Sequence, residues 1–209
     1  MDIKETILLI KKDLRASMNG IASAAMRQSA DYRVNFGVEI PRLNDMARDY
    51  EASHELAQAL WKENVRECRV LATILMPVDR FDRELCDIWV DDIHTIEIAQ
   101  LFCMNLVRRL KFASEKAFEW IASGQEIRQC CGFLTLCHVL RMGQLSERSE
   151  LEFLDQASAI LDEGAARMRA EGSSKLSVLE TQVLKALNIY GSLSKENADK
   201  AKKVTDYLP

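Results

Sequence analysis

Turn-forming residues are scarce in this chain: 8 glycines and 3 prolines serve 209 residues. A sheet protein of that length needs many tight turns, each drawing on glycine or proline, so the scarcity excludes a mainly β fold and predicts helices joined by short polar connections. A positive surplus is also missing. The formal net charge is −4 and the pI is near 5.5, so no global field draws the chain to nucleic acid, and any such contact must come from a local basic face. No apolar run reaches the ~18 residues of a membrane span. Met1 to Glu5 is not a basic segment leading into an apolar one, so neither secretion nor membrane insertion is expected and the expected location is cytoplasmic. Six cysteines, at positions 68, 86, 103, 130, 131 and 137, form no CxxC pair and sit among apolar residues, which predicts buried reduced thiols. Vicinal Cys130 and Cys131 point about 100° apart on a helix and do not readily converge with His138. His94 and His138 supply no paired ligand spacing, so no metal and no other cofactor is expected.

Hydrophobic residues make up 48% of the chain and charged residues 29%, a globular balance that excludes wholesale disorder. The length suits a single domain over 1–209. Apolar residues at 3, 7, 10 and 14 predict a first amphipathic helix, and a short second one follows Gly20 through Met26. Pro41 opens a third within its first turn, with Leu43, Met46, Ala47 and Tyr50 on its inner face. Ser53 is the expected N-cap of a helix carrying Leu56, Ala57, Leu60 and Trp61, followed directly by Val65 to Met76 and stopped at Pro77. A helix over Arg83 to Val90 leads to a long one over about Ile93 to Leu110. Ser114 is expected to cap the next, which Gly124 ends. Ile127 to Met142 is apolar on most sides and predicts a central buried helix terminated by Gly143. Leu151 to Met168, Leu176 to Ile189 and Ala198 to Leu208 complete the set. These roughly ten to twelve helices, with short connections, predict antiparallel hairpins stacked as an all-α, right-handed α-α superhelix of HEAT-like repeats. A compact irregular bundle is the competing architecture.

Several stretches resemble a known family. Met26-Arg27-Gln28 followed by Tyr32-Arg33-Val34-Asn35-Phe36-Gly37-Val38-Glu39-Ile40-Pro41-Arg42-Leu43 is similar to the N-terminal signature of the DNA alkylation repair (AlkD-like) family. So are His54 to Trp61 and Val65 to Ala72, which look like that family's paired helices. Trp120-Ile121-Ala122-Ser123 and the helix after it resemble its middle repeats. The resemblance implies a HEAT-like solenoid that grips duplex DNA in a concave basic groove, and a glycosylase that releases N3- and N7-alkylated purines without flipping the base. That reaction needs an anion beside a sugar that becomes cation-like, and aromatic faces to cradle the cation.

The family's Trp-Asp-x-x-Asp pattern should fall near Trp89 to Gln100, and there Ile96 stands where the aromatic would be and Gln100 where the catalytic carboxylate would be. A neutral amide orients water but supplies no full negative charge. Glu97, one turn from Gln100, is the candidate substitute anion; a solvated or arginine-paired role is the alternative. The late helix of active members carries a Trp and an Arg, whereas this chain reads Lys185 to Tyr190. Candidate DNA-contacting residues are Arg27, Arg42, Arg66, Arg69, Arg108, Arg109, Lys111, Arg128 and Lys185. Arg66 and Arg69 lie one turn apart and could reach phosphates, though Arg66, Glu67 and Arg69 also fit a solvated, mutually paired face. Trp61 fits a packing role. The sequence thus predicts a duplex-DNA-binding family member with the catalytic constellation replaced, or a non-catalytic scaffold for a protein partner.

Overall fold

The computed structural model describes residues 2–29, 32, 34–143 and 145–206. Among them stand twelve α-helices, two 3-10 turns and no strand, as an all-α fold requires. Arg33 of the N-terminal motif and Leu208 of the expected last helix lie outside the described residues. The helices gather into two compact units, residues 1–109 and 110–209.

The first unit holds α1 (Ile3–Ala16), α2 (Gly20–Ser29), α3 (Ile40–Ala47), α4 (His54–Lys62), α5 (Arg66–Leu75), α6 (Arg83–Asp91) and α7 (Ile96–Asn105). Helix α5 packs on α3, α4 and α7, and α1 packs on α4. Ser53 caps α4 by accepting from the Leu56 amide at 3.2 Å, and the Leu56, Ala57, Leu60, Trp61 stripe is buried. Three expectations shift. Val65 does not continue α4 directly, because Glu63 and Val65 are extended. The long helix expected over 93–110 is ten residues, Ile96–Asn105. Thr95 takes the Ile98 amide and so starts the helix late, and Leu106 leaves helical geometry ahead of a 3-10 turn at Val107–Arg109. Tyr50 lies in the turn beyond α3, half-buried, and donates to Asp13 Oδ2 at 3.2 Å.

The second unit holds α8 (Ala113–Ile121), α9 (Glu126–Arg141), α10 (Glu147–Glu171), α11 (Val178–Gly191) and α12 (Lys195–Thr205). Helix α9 lies against α8 and α11, while α10 and α12 pack on α11 and on each other. Ser114 does not cap α8: it sits inside the first turn, and Phe112 occupies the N-cap without a side-chain bond. Helix α10 starts at Glu147 because Ser146 caps it, a signal the apolar periodicity from Leu151 does not carry. Ser177 and Glu180 form a reciprocal capping box at the start of α11. The expected central helix is present, with Cys130 to Cys137 buried without a break. Gly132 lets α8 and α9 approach closely, since a Cβ there would overlap the Ala117 carbonyl and the Ile121 side chain.

All six cysteines are buried and reduced. Burial pushes the Cys68 thiol up to about 12, so it carries no thiolate at neutral pH.

Candidate nucleic-acid interface

Residues 34–39, between α2 and α3, lie outside any helix, so their polar groups need partners from elsewhere: the Val34 and Phe36 carbonyls accept from the Arg66 and Asn19 amides, and the Phe36 and Val38 amides turn to a side chain. The first turn of α5 supplies it. Glu67, wholly buried, accepts from the Phe36 amide at 3.0 Å and the Val38 amide at 3.2 Å. Arg66 donates through Nη1 to the Val38 carbonyl at 2.7 Å and to Glu67 Oε1 at 3.1 Å. Gly37 permits the bend at φ 67, and a Cβ there would overlap the Asn19 carbonyl and the Ser23 amide.

The same guanidinium reaches α7. Arg66 donates through Nε to Glu97 Oε2 at 2.9 Å and through Nη2 to Glu97 Oε1 at 2.5 Å, a bidentate fork. Tyr32 adds a hydroxyl bond to Glu97 Oε2 at 2.6 Å and meets Thr95 Oγ1 at 2.9 Å. Burial alone would raise the Glu97 pKa, but the bonds from Arg66 and Tyr32 and the Arg66 charge outweigh it and hold the carboxyl below its usual range. Burial and the adjacent Glu97 push the Tyr32 hydroxyl well above its usual range, so it stays a neutral donor. Both Glu97 oxygens are therefore occupied by internal partners.

Arg66 is only 3% exposed and Glu67 is wholly buried, so the pair is not a solvated face, and the Arg66 donors are directed to internal acceptors. Glu97 is paired with that arginine, its side chain 33% exposed. Nothing local in the sequence signals that Tyr32 and Arg66 meet at Glu97, since they lie 65 and 31 residues from it.

The tryptophans are turned inward. Trp61 and Trp89 stack with centroids 4.1 Å apart and planes at 6°, and Phe81 meets Trp89 edge-on at 5.0 Å. Trp61 donates to Asp92 Oδ2 and Trp89 to Gln58 Oε1, both at 3.3 Å. Trp120 is equally buried, so all three tryptophans of the chain lie inside. The packing role read for Trp61 is the observed one. Gln100 is exposed on α7.

Arg69 stands differently from Arg66. Its guanidinium lies 5.2 Å over the Trp61 ring, and Nη1 donates to the Asp92 carbonyl at 2.5 Å. It lines a cleft of about 40 Å³ with Tyr32, Asn64, His94 and Thr95. Arg27, Arg42, Arg108, Arg109, Lys111 and Lys185 are exposed, and Arg128 is half-buried on α9. Arg42 donates weakly to Ser17 Oγ at 3.4 Å. In the second unit Lys185 shares an open groove with Arg141, Thr181, Asn188 and the apolar Leu184 and Ile189. Sequence reasoning missed Arg141, since only the α9–α11 contact brings it to Lys185. Helices α9 and α11 expose Glu126 alone among their acids, because Glu180 is buried against Arg167 at 3.0 Å. On α10, acids outnumber bases by more than two to one.

A solved structure described as "a new family of proteins related to the HEAT-like repeat DNA glycosylases with affinity for branched DNA structures" matches with a TM-score of 0.82 at 17% sequence identity, covering 100% of this chain and 83% of that one. That likeness establishes a HEAT-like repeat fold. No curated protein matches the chain. The family model described as DNA alkylation repair enzyme matches residues 10–167, most of the sequence, and the chain therefore belongs to the DNA alkylation repair enzyme family.

Proposed function

We propose that this protein binds DNA through its phosphates and does not excise bases. The observation that carries the reading is the occupation of both Glu97 oxygens by Arg66 and Tyr32, in a chain whose indoles are all buried. Stabilising a cation-like sugar calls for a free anion and an aromatic face, and this family member offers Gln100 and a closed ion pair instead. DNA remains the favoured ligand for two reasons. The solved relative of the same fold has affinity for branched DNA. In the second unit Arg141 and Lys185 share an open groove whose described lining carries no carboxylate, a local basic patch despite the acidic total.

Titration of a linear duplex and of a four-way junction by fluorescence anisotropy, at about 50 and 200 mM salt, tests the reading, because phosphate contacts make affinity fall steeply between them. The expected result is salt-sensitive binding to both, tighter to the junction, with no 7-methylguanine or 3-methyladenine released from alkylated DNA. Release of either base by the wild type above a protein-free control would overturn the non-excising part. Absence of binding at low salt would overturn the DNA part and leave the protein-scaffold alternative.

A further inference from the structure

We infer that the cleft formed by Tyr32, Asn64, Arg69, His94 and Thr95 is an oxyanion pocket for one phosphate group of a nucleic acid. The inference rests on the DNA-binding reading for the source of the phosphate, but not for the pocket itself.

Among the described residues its lining contains no carboxylate. Arg66 borders it, yet Glu67 and Glu97 already neutralise that charge, so the unspent positive charge is on Arg69. That guanidinium is held in place by the Trp61 ring beneath it and by the Asp92 carbonyl. A stacked, anchored fork loses little freedom when an anion arrives, which is the arrangement that favours planar recognition of phosphate. Its Nε–H is buried and has no hydrogen-bond partner among the described residues, so its donors are not all spent, and the cleft that Arg69 lines also offers an imidazole and a carboxamide. Asn64 and His94 are exposed at the rim, while Ile98 and Thr95 close the inner side. A volume of about 40 Å³ exceeds the roughly 10–15 Å³ that one water requires and is too small for a base. A group of a few oxygen atoms entering from the rim fits.

The test begins with inorganic phosphate alone, following the His94 ring resonances by NMR, with His54 and His138 as internal references. Saturable shifts confined to His94 are expected, and they are expected to vanish in Asn64→Asp, which places a carboxylate at the exposed rim, and in Arg69→Gln. Because Arg69→Gln also loses the stack on Trp61, Asn64→Asp carries the result if the first variant melts early. With DNA, each variant is expected to bind at least tenfold more weakly and to reduce the slope of log affinity against log salt by about 1, the signature of one lost phosphate contact. Duplexes with 5′-phosphate and 5′-hydroxyl ends identify the source. Tighter binding of the phosphorylated end assigns a terminal group, and equal binding with the reduced slope assigns an internal diester; both support the pocket. Phosphate binding without DNA binding would keep the pocket and remove the DNA reading. DNA binding with unchanged slope in both variants, and no His94 response to phosphate, would overturn the pocket.

Discussion

The two units solve the same problem with different materials. In the first, an irregular segment is tied to two helices by a buried arginine and two carboxylates, with Arg66 and Glu67 side chains 1% and 0% exposed. In the second, the elements are all helices, and each ion pair keeps at least one partner toward solvent: Lys200 with Glu150 at 2.8 Å, side chains 36% and 24% exposed, and Arg167, 36% exposed, with the buried Glu180 at 3.0 Å. The interior there is apolar, built from Phe133, Leu136, Phe153, Leu161, Leu187 and their neighbours. The contrast follows from backbone accounting. Helices satisfy their own amides, so α9 needs no polar partner inside, whereas Phe36 and Val38 need acceptors that only a side chain can bring.

The largest test of that contrast removes the shared cation. Arg66→Met leaves Glu67 and Glu97 without their partner in a buried place, which is expected to destabilise by about 3–5 kcal/mol. That is a large share of a domain's typical ~5–15 kcal/mol, so urea unfolding should show a much lower midpoint or a chain already unfolded. A loss under about 1 kcal/mol, the scale of an exposed pair, would mean that the first unit does not depend on its polar knot.

The matching test in the second unit adds bulk. Gly132→Ala gains helix propensity, worth about 1 kcal/mol, but its Cβ would meet the Ala117 carbonyl and the Ile121 side chain. Because one of those atoms is backbone, α8 and α9 must separate, and the overpacking cost of about 1–3 kcal/mol is expected to exceed the gain. A Gly132→Ala protein with a higher unfolding midpoint would show that the α8–α9 spacing yields easily.

What the sequence revealed follows the same division. Punctuation by local chemistry was readable: Ser53 caps α4, Pro77 stops α5, Gly143 ends α9 at φ 64, and the unbroken apolar run of α9 marked the buried helix. Thr95 and Ser146 give no distinct start signal, because each lies inside or just ahead of a periodic stretch that continues past it. The site was harder. Arg66 and Glu67 are adjacent charges at a helix start, a pattern that solvated faces share. Their burial follows from partners 28 to 31 residues away, at Phe36, Val38 and Glu97. No local periodicity encodes such a return, so Glu97 stood open as both catalyst and ion-pair partner until tertiary contacts were in view.

A smaller effect sharpens the role of Glu97. Its folded pKa lies below the ordinary carboxylate value, so the charged network adds stability that is present above the unfolded pKa and is lost as pH falls through the folded one. Glu97→Gln is therefore expected to be less stable than wild type at pH 7. The gap should narrow as pH drops through about 4 to 5 and below, measured by urea midpoints across the acid range. A gap that stays constant with pH would mean that Arg66 and Tyr32 do not favour the ionised form, and both Glu97 oxygens would be available for other work.

The smallest expected change lies at the rim of the second unit. Lys200 bridges Glu150 and Glu196 at 2.8 and 2.9 Å, while the buried Tyr190 hydroxyl reaches the same Glu150 oxygen at 2.6 Å. Lys200→Met removes the cation but leaves that hydroxyl bond and the packing of Tyr190 on Phe153, with ring centroids 5.5 Å apart. Because water and salt screen an exposed pair, the thermal midpoint should move little, and what movement there is should disappear in added salt. Arg66→Met, by contrast, should keep its effect in salt, since no counterion reaches a charge that is buried. If both variants lose stability alike, and alike ignore salt, then exposure does not separate the two kinds of ion pair and the proposed difference between the units fails.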